Sequence, residues 1–272
     1  MGKIQLTIKR WAAWMPEAQD RQAWVAWSQR PDRSGDRQDS GLTKENAQES
    51  VVSAKPSVDQ IPPMLRRRLS PLGKMAASVA WPLLSDGQLI PSIFCSRHGE
   101  LSRTVDMLRD LAKGEDLSPT HFSLSVHNAI GGVFSIARKD TAPISALACG
   151  DDGICQALLE AALILQESEY DEALCVFYDA PIPGVYRDTL TGPAFSYAAA
   201  FVIGLGDPVD SSDQQVALEM QMQKLALGAA PKPMSEPHVL SFIRFLLANN
   251  KEAVTIVAAR HAWMLVKRSI GK

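Results

Sequence analysis

One stretch, 117–160, limits what this chain can fold into: LSPTHFSLSVHNAIGGVFSIARKDTAPISALACGDDGICQALLE. It reads as a helix, a short apolar strand, a tight polar turn and a second helix. Ser118 is placed to cap the first helix, and Pro119 takes the first helical position, where its missing N–H costs nothing. Ala129, Gly131 and Gly132 let another backbone come close. Residues 143–148 are apolar and short enough for a buried parallel strand. Cys149, Gly150, Asp151, Asp152 and Gly153 make the turn. The second helix, 154–165, carries Leu158, Leu159, Ala162 and Leu165 on one face. A strand that runs through a sharp turn into a helix exposes a side chain beside free N–H groups, as nucleophile-bearing turns do.

The flanking chain fits an α/β reading. Residues 4–10 (IQLTIKR) alternate as a strand, and 16–27 read as a helix. Trp11, Trp14, Trp24 and Trp27 form a dense aromatic group, either a hydrophobic cap on the sheet edge or an anchoring surface for a partner. Residues 28–60 are rich in Ser, Asp, Arg, Gln, Lys and Glu and poor in aromatics, so they are expected to be a mobile surface loop. Residues 62–84 read as one helix with Arg66, Arg67, Arg68 and Lys74, a solvated face or a docking patch for an acidic partner. Residues 90–95 form an apolar strand with Arg97, His98 and Glu100 at its end, where α/β sites are built. A helix over 100–111 follows, with Leu101, Val105, Leu108 and Leu111 in register. Strands over 171–178 and 195–205, joined by helices, argue a mostly parallel layered fold. Further on, 214–227 reads as a Met- and Gln-rich helix and 237–248 as an amphipathic helix. Residues 254–258 and 262–266 are either strands or one helix.

Composition excludes several classes. A net charge of −2 gives no electrostatic case for nucleic acid or a membrane surface. No apolar run has the length of a membrane-spanning helix, and the first ten residues lack a signal-like core. Cys95, Cys149, Cys155 and Cys175 have no CxxC spacing. The expectation is therefore a reduced, cytoplasmic protein with no metal site, cofactor or disulfide framework.

Several motifs occur together in one order. SPTHFSLSVHNAIGGVFSI precedes ISALACGDDGI, after RRRLSPLGKMA (66–76) and IFCSRHGE (93–100) and before PAFSYAAAFVIG (193–204). In this the chain resembles the N-terminal half of a β-ketoacyl synthase of the thiolase fold, most closely the short synthase-like proteins of aryl polyene biosynthesis. The resemblance covers about 5–206. It implies a single synthase-like domain over 1–272, a layered mixed sheet with helices on both faces, and a short α+β cap over 207–272. It also implies a chain-length-factor-like role. Such a subunit pairs with a full-length β-ketoacyl synthase and closes the acyl tunnel in fatty acid or polyketide elongation. Phe122, Ser125, Val126, His127, Asn128, Ile130 and Phe134 would line that interface and tunnel. Arg66, Arg67, Arg68 and Lys74 would dock acyl carrier protein.

The turn separates subunit from enzyme. The resemblance places Ala148 where the catalytic cysteine sits in the family, with Cys149 one residue later and turned away from the tunnel. Asp151 and Asp152 beside it would raise its pKa. A condensing enzyme also uses two histidines from a C-terminal half, for which this chain is too short, and His238 and His261 lie in no matching motif. No independent condensing activity is therefore expected. Two alternatives stay open: a minimal acyltransferase using Cys149 with His127 or His98 as base, and a homodimeric scaffold.

Overall fold

The computed structural model describes residues 2–30, 55–208, 215–225, 236–259 and 261–268. The loop expected over 28–60 lies for the most part outside the described residues. The chain opens with β1 (Ile4–Trp14). Helix α1 (Arg21–Ser28) follows, started by Asp20, whose carboxylate accepts the Ala23 N–H at 2.8 Å. The four tryptophans do not form one group. Trp24 and Trp27 meet edge to face at 5.0 Å on one side of the sheet, with Trp11 packed against the same core. Trp14, three residues further along β1, packs on the other side.

The helix expected over 62–84 is two helices, α2 (Pro63–Arg66) and α3 (Pro71–Ala80), followed by a 3-10 turn. Pro71 disfavours helical backbone at Ser70, which instead caps α3 by accepting the Gly73 N–H at 3.0 Å. Next come β2 (Ser92–Cys95) and α4 (Leu101–Ala112). The helix expected to start at Pro119 is also split, into α5 (Pro119–Ser123) and α6 (Ala129–Arg138). The hydroxyls of Ser123 and Ser125 donate back to the Thr120 and Phe122 carbonyls there, and so compete with the helical ladder. Then β3 (Ile144–Leu147), α7 (Gly153–Glu167), β4 (Ala173–Asp179) and β5 (Tyr197–Leu205) follow close to their expected positions.

The tail departs further. Residues expected to be a Met/Gln helix form β6 (Val216–Lys224), in which Leu218 and Met220 enter the core. Helix α8 (His238–Leu247) is followed by β7 (Ala253–Val257) and β8 (His261–Lys267). The described strands make one sheet in the order β3-β2-β4-β5-β1-β6-β8-β7. Only β2–β3 and β2–β4 are parallel; the other described ladders are antiparallel. The expectation of a mostly parallel sheet therefore fails. The tail supplies hairpin-linked strands, and β5 enters antiparallel beside β4.

Helices cover both faces. On one, α3 and α6 pack over Phe94, Val176 and Ala200. On the other, α7 and α8 pack over Ile93, Cys175 and Phe201. The two faces bury separate apolar clusters, as a layered domain requires.

Arg244 of α8 ties the tail to α1. Its guanidinium lies 3.8 Å from the Trp27 ring and donates to the Trp27, Ser28 and Arg30 carbonyls at 2.9–3.1 Å. It also pairs with Glu236 at 3.2 Å. Arg244→Ala is expected to lower stability by about 2–3 kcal/mol, since it removes a desolvated cation–π contact and a helix C-terminal cap. Urea unfolding reads this; a loss under about 0.5 kcal/mol, the scale of a surface substitution, refutes it.

Candidate functional site

The parallel strands β2, β3 and β4 end together, and a cleft of about 770 Å³ opens there. The turn 149–154 forms one wall, the 181–194 loop another, and the start of α8 the third. Cys95, Phe177, Asp179 and Tyr197 line its base.

Strand alternation decides which turn residue enters this cleft. The Ser145 hydroxyl donates to Glu160 of α7 at 3.0 Å, and Leu147 packs with the α7-side core. Ile144, by contrast, faces Gly131 of α6. Odd-numbered residues of β3 thus face α7, and the period of two carries Cys149 to the same side. Cys149 lines the cleft, whereas Ala148 is exposed and does not. The family resemblance set Cys149 away from the acyl tunnel; in the structure its side chain is among those that line this cleft.

Asp152 raises the Cys149 thiol as expected, and so does burial, but the neighbouring Cys95 outweighs both and lowers it. The Cys149 contact, followed by burial, pushes Cys95 up, and the Cys95 thiol donates to the Gly153 carbonyl at 3.7 Å. Gly153 makes room for both: a Cβ there would lie 3.1 Å from Cys95 Sγ and 3.4 Å from Cys149 Cβ.

The acidic pair divides its work. Arg97 and Asp151 form an ion pair across the cleft wall. Asp152 turns inward, and its Oδ2 accepts from Gln156 at 2.9 Å, His261 at 2.8 Å and Trp263 at 2.9 Å. Burial alone would raise its pKa, but these bonds hold it below the ordinary carboxylate range. Asp179, buried at the base, accepts from the Ser96 hydroxyl at 2.7 Å, the Arg97 N–H at 3.0 Å and the Tyr197 hydroxyl at 3.3 Å. Burial outweighs those bonds and raises its carboxyl.

The histidines fall differently from expectation. His98 holds the 181–194 loop by donating Nε2–H to the Thr191 carbonyl at 2.9 Å. His127 bonds the Ser96 carbonyl at 2.9 Å and stacks against Gly99. Neither lines the cleft beside Cys149, so neither is placed as its base. His238 does line the cleft, and it donates Nδ1–H to the Asp151 carbonyl at 2.7 Å. No spacing in the sequence marked it, because 87 residues separate it from its partner. Burial lowers its pKa from 6.5, so stability is full above that value and falls as pH drops through the folded pKa. His238→Asn keeps a donor but cannot titrate. The wild type should therefore lose stability relative to this variant as pH falls below about 6.5; parallel melting profiles across that range would refute it.

The other candidates separate. Glu100 faces away from the cleft, accepting from Ser70 at 2.7 Å and pairing with Arg103 at 3.3 Å. Burial raises its pKa. Arg66 ends α2 and pairs with Asp59 at 2.7 Å, Arg67 and Arg68 are exposed in the turn, and Lys74 lies half-buried on α3. The four cations are thus not on one helix. Phe122, Val126 and Asn128 are exposed and Ser125 is half-buried. Ile130 and Phe134, each 2% exposed, are core residues packed over β2. Among the described residues, no His/Cys/Asp/Glu group could hold a metal ion, and no helix is long and apolar enough to cross a membrane.

Comparison with known proteins now bears on this arrangement. A solved complex of a ketosynthase (ApeO) with its chain length factor (ApeC) from Xenorhabdus doucetiae matches at 26% identity and TM-score 0.74. The match covers 97% of this chain and 99% of the matched one. The ishigamide ketosynthase/chain length factor matches at 13% identity and TM-score 0.56, over 81% of this chain and 67% of that one. A β-ketoacyl synthase from Burkholderia phymatum STM815 matches at 12% identity and TM-score 0.57, over 83% of this chain and 65% of that one. The latter two show the fold alone. Comparison with curated protein sequences gives no match. The mixed sheet with helices on both faces is therefore that of a thiolase-like ketosynthase. The profile of the beta-ketoacyl synthase N-terminal domain matches residues 24–264, and the chain belongs to that family.

Proposed function

We propose that the chain is a non-catalytic, chain-length-factor-like subunit. It pairs with a full-length β-ketoacyl synthase and shapes the acyl tunnel during polyketide or fatty acid elongation, with aryl polyenes as the product class. The observation that carries this reading is the edge of the sheet at β3. In the described structure β3 pairs with β2 alone. Large apolar side chains lie exposed on β3 (Ile144), on α6 beside it (Ile136 at 60%) and in the chain leading into α6 (Phe122 at 59% and Val126). An unpaired strand flanked by apolar surface is a template for a second chain. The Xenorhabdus doucetiae complex of a ketosynthase with its chain length factor supports it, one of its chains being matched over 99% of its length. Arg66, Arg67, Arg68 and Lys74 serve as the basic patch for an acidic carrier protein.

The test is co-expression with a full-length β-ketoacyl synthase from the same genome, followed by affinity purification of this chain. A one-to-one complex, unchanged by Cys149→Ala, is expected. A stable monomer that retains no synthase refutes the reading, and a self-paired dimer by light scattering supports the scaffold instead.

One observation favours a second reading. Cys149 and His238 line the same cleft, and the neighbouring Cys95 lowers the Cys149 pKa. An acyl-transferring enzyme of this kind needs a thiolate and a base within one site. Thioester-dependent labelling at Cys149, lost in Cys149→Ala, would select it.

A further inference from the structure

Cys95 and Cys149 stand at the ends of adjacent parallel strands, and the pairing proposed above uses neither thiol. Cys95 is in register with Leu147, and Cys149 lies two residues beyond on the same face. Both flank Gly153, and both line the cleft. We propose that these two cysteines are a peroxide-oxidised dithiol: hydrogen peroxide entering the cleft oxidises Cys149, and Cys95 resolves it to an intrachain disulfide.

The environment assigns the two roles. Cys149 is half-buried in the cleft wall, within reach of a small solute, while Cys95 lies beneath it at 5% exposure. The Cys95 thiol donates to the Gly153 carbonyl at 3.7 Å, directly beside Cys149, and its proximity lowers the Cys149 pKa. The thiolate is the form that attacks an oxidant. The other two cysteines differ in both respects. Cys155 and Cys175 are fully buried and line no part of the cleft, burial raises both thiols, and Cys175 donates to the Ala157 carbonyl at 3.5 Å.

The chemistry balances. The Cys149 thiolate attacks one peroxide oxygen, the O–O bond breaks, and hydroxide leaves, giving a sulfenic acid. The Cys95 sulfur then attacks the Cys149 sulfur. The S–O bond breaks, and the Cys95 proton leaves with the hydroxyl as water. In sum, two thiols and one peroxide give one disulfide and two waters, with peroxide the oxidant. The bond fastens the turn before α7 to the end of β2 and removes the free thiol from the cleft.

The experiment uses the full chain, alone, treated with a small excess of hydrogen peroxide and then alkylated with N-ethylmaleimide. Tandem mass spectrometry should show a Cys95–Cys149 link and joint loss of alkylation at these two positions, reversed by dithiothreitol. Cys95→Ser should stop at the sulfenic acid, trapped by dimedone at Cys149. The wild-type result decides the matter even if a variant fails to fold. Three outcomes overturn the proposal: full alkylation of all four cysteines after peroxide, dimedone-trapped or sulfinic Cys149 in the wild type without the link, or a link through Cys155 or Cys175. None of these depends on whether the chain pairs with a synthase.

Discussion

Asp152→Ala is expected to lower the unfolding free energy by about 3–5 kcal/mol, the scale for removing one partner of a buried charged network. The carboxylate sits at the start of α7, where its charge meets the helix dipole. Its Oδ2 is the common acceptor for Gln156, His261 and Trp263. Trp263 is 1% exposed, so its indole N–H would lose its acceptor inside the core. The effect reaches beyond the turn, because His261 and Trp263 belong to β8 and no other bond of this kind links β8 to the turn among the described residues. Acid should act in the same direction. The folded pKa lies below the usual 3.8, so this contribution is fully present above that value and is lost as pH falls through the folded pKa. Urea titration of Asp152→Ala against wild type at neutral pH checks the first statement. Convergence of the two proteins in strong acid checks the second. A loss below about 1 kcal/mol, the net worth of one ordinary hydrogen bond, would mean the three donors find other acceptors.

Ala146→Pro should weaken pairing with a synthase about 100-fold while leaving this chain folded. In β3 the Pro143 carbonyl accepts the Ser92 N–H at 3.0 Å, and the Leu147 carbonyl accepts the Ser96 N–H at 3.1 Å. In a parallel ladder both backbone groups of a residue point the same way, so 143, 145 and 147 face β2, and 144 and 146 face the free edge. Proline at 146 therefore removes an outward N–H and places a ring where a partner strand would lie, without touching the β2 ladder. The expected cost to the isolated chain is about 1 kcal/mol. The expected loss of affinity for the synthase is about 100-fold, or roughly 2.7 kcal/mol. Ser145→Pro is the contrast, since it breaks a β2 bond and should destabilise the chain itself. Retention of the synthase by Ala146→Pro at wild-type levels would remove strand addition at β3 from the proposed function.

Local signals read from the sequence held where the physics is local. Ser118 accepts the His121 N–H three residues on, as a capping residue does. The strand–turn–helix at 144–167 needed only an apolar run, a Gly/Asp turn and a helical period. The family resemblance rested on ordered motifs and so survived errors in single elements. Helix continuity was less legible: 119–138 carries apolar residues throughout, yet serine back-bonding divides it. Residues 216–224 hold Met, Gln, Glu and Leu, good helix formers, in an alternating order that also suits a strand. Pairing with β1 and β8 chose the strand.

By itself, then, the sequence determined the layered α/β class, the order of most elements and the strand–turn–helix that carries the cleft. Periodicity, capping and turn residues act over a few positions and are written in the chain. The tertiary structure alone decided that Cys149 enters the cleft, that Cys95 and His238 line the same cleft, and that Asp152 serves β8. Those facts follow from which face each strand presents and which distant segments lie side by side. Contacts across 54, 87 and 109 residues, such as Arg97–Asp151, Asp151–His238 and Asp152–His261, exist only once the sheet has set its register.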